Sequence, residues 1–466
     1  MKPDLLRTIP KVDLLLEKAG ARPDMAAAPY IHLLAAIRRT LADLRRDLRA
    51  GRAEAAPDLE ALLRTVSLNL KEELTFSLRP VVNATGIVLH TNLGRSVLSE
   101  AAAGWVAQIA SSYTTLEYDP LAGGRGSRQA HLETLLTRLT GAEAALAVNN
   151  NAAALLLIMA ALCGGREIVV SRGELVEIGG SFRLPEILKQ GGVRLREVGT
   201  TNQTTPADYA EALDPERVGG LLKVHPSNFR IIGYTRQPET AELAALAAAR
   251  GLPLIYDLGS GLISGLEDLK ISGEPTVAQV LAEGADLVCF SGDKLLGGAQ
   301  AGLIVGRKNL VARLKTHPLA RPLRIDKLTL AALEATLRLH LDPERARREI
   351  PTLAMIFAEP AELHARAERL KDLLTAADPT LVLEVVAVEG QTGGGAAPER
   401  PLPSWAVAVV HPRLSAERLE AALRGRDMPI VARIGHDRLL LDVRTIRPGQ
   451  LPLVAEALAD RNLAAG

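Results

Sequence analysis

The apolar run Leu254-Ile255-Tyr256 ends in an acid, Asp257, and continues into the flexible turn Leu258-Gly259-Ser260-Gly261. A second run, Leu287-Val288-Cys289-Phe290, ends in Ser291-Gly292-Asp293-Lys294 and so delivers a lysine. A third, Leu146-Ala147-Val148, passes through Asn149, Asn150 and Asn151 into an apolar stretch that starts at Ala152. Three asparagines ahead of a helix present backbone N–H groups and the positive end of a helix dipole, which is a phosphate site. Ser291 adds a hydroxyl donor, Asp257 can keep a ring nitrogen protonated, and Lys294 can condense with an aldehyde. Each alone has a plainer reading: a surface lysine, a loop acid, a helix cap. Phosphate turn, acid and lysine in that order on strand ends describe a pyridoxal 5'-phosphate site, with Asn149, Asn150, Asn151, Ala152, Asp257, Ser291 and Lys294 as its cofactor-binding set.

Competing chemistries fail in detail. No GxxxxGK[ST] occurs, and after Gly259-Ser260-Gly261 the third glycine of a dinucleotide fingerprint falls on Ser264. The only cysteines, Cys163 and Cys289, stand in apolar surroundings and read as small, inert core residues. The nine histidines are scattered without an HExxH pattern, and no metal site is assigned.

The elements that must position these residues follow from patterning. Short β-like runs at 144–148, 167–171, 194–198, 220–224, 254–257, 287–290 and 301–305 alternate with helical stretches such as 239–250 and 276–283. Apolar strands alternating with helices predict an α/β fold with a mainly parallel sheet covered on both faces. Ligands of such sheets bind outside the carboxyl ends of the strands, where all three motifs open. The apolar stretch 152–162 reads as one helix. Residues 1–75 carry apolar residues at helical spacing and form an N-terminal helical domain. Residues 76–327 form the large core domain. Residues 328–466 form a small α+β domain: strands at 381–388 and 406–411, a helix at 416–424, a hairpin of 430–434 with 438–443, and a last helix near 451–458. Gly435-His436-Asp437 supplies the hairpin turn, and the Gly- and Pro-rich stretch 390–403 reads as a loop.

Composition narrows the partners. The 466 residues carry 55 basic and 54 acidic side chains, a net charge of +1, so bulk charge does not drive polyelectrolyte binding. Aromatics are 3% of the chain, which argues against base-stacking modules. A local basic feature exists: six arginines lie between Arg38 and Arg52 against two acids. They read either as a solvated helix face or as a phosphate-contacting face for a folded RNA. The longest apolar run, from Ala152 to Cys163, is 12 residues, too short for a membrane span. With charges throughout the first twenty residues, the chain reads as soluble and cytoplasmic.

Longer motifs extend the picture. Asn83-Ala84-Thr85-Gly86, His90-Thr91-Asn92-Leu93-Gly94-Arg95, Gly124-Arg125-Gly126-Ser127-Arg128, the stretch from Ser171 to Gly180, Val198-Gly199-Thr200-Thr201-Asn202 and Val224-His225-Pro226-Ser227-Asn228 join the two strand-end motifs already quoted. Together they resemble bacterial selenocysteine synthases, the L-seryl-tRNA(Sec) selenium transferases, over essentially the whole chain. The resemblance implies a fold-type I pyridoxal phosphate-dependent transferase that converts seryl-tRNA(Sec) to selenocysteinyl-tRNA(Sec) with selenophosphate. It implies a homodecamer of five dimers, active sites at the dimer interface, and an N-terminal domain that grips the tRNA. It makes Lys294 the cofactor-bearing lysine and assigns Arg95, Arg321 and Arg324 to the active site as selenophosphate ligands. Arginine suits that task because its planar fork donates paired bonds to phosphate.

By themselves, Arg321-Pro322-Leu323-Arg324 is a basic loop and Arg95 a salt-bridge residue. Gly124-Arg125-Gly126 reads equally as a backbone anion nest or a flexible loop, and Arg125 is counted with the substrate-binding residues. His225, Glu174, Glu177 and Arg433 receive no role. The rival reading is a pyridoxal phosphate-dependent lyase acting on a free amino acid or a phosphorylated amino sugar acid, against which the N-terminal helices argue.

Overall fold

The computed structural model describes residues 8–53, 55–179, 182–226, 231–263, 274–396 and 401–459. The chain separates into two compact units, Met1–Pro80 and Val81–Gly466.

In the first unit, helices Val12–Gly20, Tyr30–Arg49 and Leu59–Leu74 close on a shared core. Leu33, Ile37, Leu41, Leu44 and Leu48 recur at three- and four-residue spacing, so one stripe of Tyr30–Arg49 faces Leu62, Leu63, Val66 and Leu70. Asp58 starts the third helix by accepting from the Ala61 amide at 2.6 Å. Arg39, Arg46 and Arg52 pair with Glu72, Asp43 and Asp47 at 2.8, 2.7 and 2.6 Å. Arg38, Arg45 and Arg49 are exposed and have no acidic partner among the described residues. Seven and four residues apart, they share one helix face.

The second unit is built on a seven-stranded sheet in the order Ala144–Val148, Gly302–Gly306, Leu287–Ser291, Leu254–Gly259, Val218–Val224, Glu167–Ser171, Arg194–Val198. Gly302–Gly306 runs antiparallel to both neighbours, and every other pair is parallel. Each of the seven strands predicted for this sheet is present, within two residues of its expected ends. Alternate side chains enter opposite layers: Tyr256, Val288, Phe290 and Leu303 join one core, and Ile255, Leu287, Cys289 and Ile304 the other. A sheet buried on both faces has no polar alternation, which is why its strands read as continuous apolar runs.

Two expectations change. The 152–162 stretch is an α-helix only over Asn151–Ile158 and widens into a π-turn over Met159–Cys163. The expected loop at 390–403 is strand at its two ends, 390–393 and 402–403, and a turn at 394–396: Val382–Gly393 pairs with Leu402–Val410, and Gln391 and Gly393 also pair with Ile87 and Leu89. Gly390 and Gln391 are held in the ladder by Leu402 and Ile87, and Gly393 closes the strand in the left-handed region, at φ 73°. Residues 397–400 lie outside the described residues.

The second sheet follows the order Arg433–Gly435, Arg438–Asp442, Leu402–Val410, Val382–Gly393, Ile87–Leu89. Helices Pro360–Ala377, Ala416–Arg424 and Leu451–Ala459 share its core. Its hairpin turns through His436 and Asp437, both at positive φ (51° and 56°), while Gly435 belongs to the strand. Val82–Asn83 also pairs with Ile430–Val431. Residues 82–89, read from sequence as part of the core domain, are therefore hydrogen-bonded to C-terminal strands. Gly86 is required there: its φ is 76°, and a Cβ would stand 2.0 Å from Asp442 Oδ2.

Candidate active site

The carboxyl edge of the large sheet gathers the predicted cofactor residues. Asp257 lies inside the strand end, where its Oδ1 accepts from Asn151 Nδ2 at 2.8 Å. Cys289 Sγ stands 3.8 Å from the same oxygen, so this thiol touches the site instead of only filling core. Burial pushes the Asp257 carboxyl above its ordinary range, against the pull of Asn151 and Lys294. Lys294 is buried as well; burial first, then the Arg95 charge, lowers its ammonium pKa. The two turns that carry these groups are tied together, since the Leu295 amide donates to Ser260 O at 2.9 Å.

The asparagines divide their work. Asn150 Oδ1 caps the helix by accepting from the Ala153 amide at 2.8 Å. The first intrahelical bond is Ala154 N to Asn150 O, so the amides of Asn151 and Ala152 precede it, at the positive end of the dipole. The Asn149 amide is already spent on Leu323 O at 3.1 Å. Gly302 lets its strand pass: a Cβ would stand 2.1 Å from Asn150 O. Ser291 ends its strand buried, one turn before Lys294.

The arginines reach this edge by different routes. Arg95, at φ 62°, donates from Nη1 to Asp293 Oδ2 at 2.9 Å. Ser96 Oγ lies 2.9 Å from both Asp293 O and Lys294 O, which fastens the Arg95 segment to the lysine turn. Arg95 also lines a cleft of about 550 Å³ with Asn83, His90, Thr352 and Arg447. Arg324 is bridged to Val148 next to the asparagine turn, and its guanidinium stands 3.7 Å from Glu117. Arg125 approaches the same carboxylate at 3.9 Å. Arg321 is exposed after the turn Pro318–Ala320 and makes no side-chain bond among the described residues.

The four unassigned residues separate. His225 donates its amide to Asp257 O at 2.9 Å and sets Nε2 3.1 Å from Glu274 Oε2. Glu174 is buried, accepts from the Val224 amide at 3.0 Å, and is pushed up by burial against the nearby Lys223 charge. Glu177 pairs with Arg183 at 3.3 Å, and Arg433 with Asp442 at 2.8 Å. Sequence reasoning gave no role to Asp293, Glu117, Arg128 or Glu274. Asp293 adjoins the lysine and Arg128 closes the motif Gly124–Arg128, both visible signals, whereas Glu117 and Glu274 stand in no local pattern.

A pyridoxal phosphate fits this edge. Asn151 Oδ1, Ser260 Oγ and Asp293 Oδ1 are buried without partners among the described residues, beside a buried acid, a buried amine and a helix N-terminus. Fold and site together define a fold-type I pyridoxal phosphate-dependent transferase. Residues 81–447 match the family described as L-seryl-tRNA selenium transferase. The L-seryl-tRNA(Sec) selenium transferase of Moorella thermoacetica is 51% identical, over 98% of this chain and 96% of its own. That of Geobacter metallireducens is 48% identical, over 98% and 99%. A solved structure of D-glucosaminate-6-phosphate ammonia-lyase is 25% identical, with a TM-score of 0.57, over 85% of this chain and 98% of that one. The chain belongs to the L-seryl-tRNA selenium transferase family.

Proposed function

We propose that this protein converts L-seryl-tRNA(Sec) to L-selenocysteinyl-tRNA(Sec), taking selenium from selenophosphate. The observation that carries this reading is the near full-length likeness to selenium transferases, at 51% identity, combined with Lys294 and Asp257 buried at one sheet edge. Lys294 would hold the cofactor's aldehyde, Asp257 its ring nitrogen, and Asn149, Asn150, Asn151, Ala152 and Ser291 its phosphate. When bound, the cofactor supplies an electron sink that acidifies the substrate's Cα proton. Lys294, made less basic by burial, takes that proton at Nζ and returns one after the β-hydroxyl has left and selenium has been added. Asp257 would supply the counter-charge that keeps the cofactor's ring nitrogen protonated and the sink effective.

The substrate is an ester and has no free carboxylate to clamp. Arg95, Arg321, Arg324 and Arg125 are therefore available for the phosphate of selenophosphate. The N-terminal helices, residues 1–75, bind the tRNA, and the unpaired Arg38, Arg45 and Arg49 contact its phosphates. The family resemblance supports residues 76–327 as the cofactor domain, residues 328–466 as the small domain, and a cytoplasmic homodecamer of five dimers. No described helix is long and apolar enough to cross a membrane.

The likeness to the ammonia-lyase supports a second reading, elimination from a free amino acid or a phosphorylated amino sugar acid. Offering seryl-tRNA(Sec), free serine and a phosphorylated amino sugar acid to the cofactor-loaded protein separates the two. Only the tRNA ester is expected to turn over. Ammonia released from a small acid, with the ester untouched, would overturn the first reading.

A further inference from the structure

Glu117 is an acid on which three arginines converge. Arg128 holds it closely: Nε and Nη2 both reach Glu117 Oε1, at 2.8 and 2.7 Å. The Arg128 side chain is 11% exposed, and its Nη1 donates to the carbonyl of Ile325, the residue after Arg324, at 2.5 Å. The Gly126 amide donates to Glu117 O at 2.9 Å, so the loop carrying Arg125 is fixed to the same residue. Arg324 and Arg125 stand farther off, at 3.7 and 3.9 Å, beyond hydrogen-bond reach. Three guanidiniums against one carboxylate leave an excess of two positive charges. The Arg128 hydrogen bonds hold the Glu117 carboxyl below its ordinary range, so it is a full anion at neutral pH.

A full anion this close to Arg324 competes with any phosphate that Arg324 is to bind. Arg128, the least exposed of the three guanidiniums, spends its Nε and Nη2 bonds on Oε1 and holds the carboxylate there, and the two exposed ones keep their donors. We propose that Arg128 is a positioning residue that sequesters Glu117 and thereby leaves Arg324 and Arg125 open to the phosphate of the selenium donor. This rests on the reading of Arg324 and Arg125 as phosphate ligands. Without Arg128, Glu117 closes on Arg324 and Arg125 and quenches them.

The test is a calorimetric titration of the cofactor-loaded protein with inorganic phosphate, which needs neither tRNA nor turnover. R128Q is expected to weaken binding by roughly tenfold, and E117Q/R128Q to restore it to within about threefold, because the two changes act through one ion pair. E117Q alone, which keeps Arg128, binds at least as tightly as the unaltered protein. In turnover, R128Q raises the KM for the selenium donor and leaves kcat nearly unchanged. A double variant as weak as R128Q means that Arg128 only props the loop, and overturns the proposal. So does weaker binding by E117Q, which also serves if R128Q does not fold. Unaltered protein that binds phosphate no better than R125A/R324A removes the premise, and that outcome is distinct from the other two.

Discussion

Lys294 and Asp257 are 7% and 6% exposed, whereas the side chains of Arg324 and Arg125 expose 38% and 82%. Asp257 sits in a strand of a sheet buried on both faces, with Asn151 at hydrogen-bond distance, and Lys294 in the buried turn after the neighbouring strand. The second pair sits on a loop and a short exposed hairpin and meets Glu117 only at 3.7 and 3.9 Å. The difference follows from what each region must hold. A resident cofactor needs a fixed, desolvated cradle whose charges stay strong in a low dielectric. A transient phosphate needs charge that remains solvated and reachable until the ligand arrives, and is released afterwards.

That contrast is broken or sharpened by substitution. Lys294→Ala removes both the cofactor's anchor and the group that moves the Cα proton. Selenium transfer should fall by at least about a thousandfold, with loss of the lysine-bound cofactor absorbance. Asp257→Asn keeps the shape and removes only the buried charge, and kcat should drop by about a hundredfold. Activity within a few fold of normal would mean that the cradle's charge is not what the reaction uses. Arg324→Ala acts on the rim: the KM for selenophosphate should rise by roughly ten- to a hundredfold, the cost of removing charge-assisted bonds, with cofactor loading untouched. A fall in loading instead would place Arg324 in the cradle and erase the distinction.

Smaller effects extend the comparison to the first unit. Replacing Arg38, Arg45 and Arg49 by Gln should reduce the slope of log affinity against log salt for the tRNA, by about one for each phosphate that is no longer neutralised. Replacing Arg39, already paired with Glu72, should leave that slope nearly unchanged. The smallest expected effect is on pH. Burial disfavours the Lys294 ammonium, so its amine loses its proton below the ordinary lysine range. Cofactor loading, which needs the neutral amine, should rise with pH and level off below that range. The Arg95 charge contributes to the lowering, so Arg95→Ala should move the plateau to higher pH. A profile that levels off only at the usual lysine value would contradict this environment for the amine.

How much was legible in the sequence follows the same division. The cradle could be read because strand-end residues are consecutive with the apolar runs that position them: Asp257 and Lys294 announce their places within a few residues. The large sheet could be read for the same reason, down to strand ends within two residues. The stretch 390–403 misled because glycine and proline mark loops locally, while Gln391 and Gly393 are held by Ile87 and Leu89, some three hundred residues earlier. The rim was legible only through family resemblance. Glu117, Arg128 and Arg324 meet across loops, and no spacing in the chain reports that meeting. Of the four residues left without a role, His225 and Glu174 prove to adjoin the cradle, because the strand pairing sets Val224 beside Asp257.

The most direct measurement incubates the cofactor-loaded protein with seryl-tRNA(Sec) and labelled selenophosphate and counts selenium on the recovered tRNA. Label that accumulates on the tRNA with the unaltered protein and is absent with Lys294→Ala is the predicted result. A folded, cofactor-loaded protein that leaves the tRNA unlabelled would contradict selenium transfer to seryl-tRNA as its reaction.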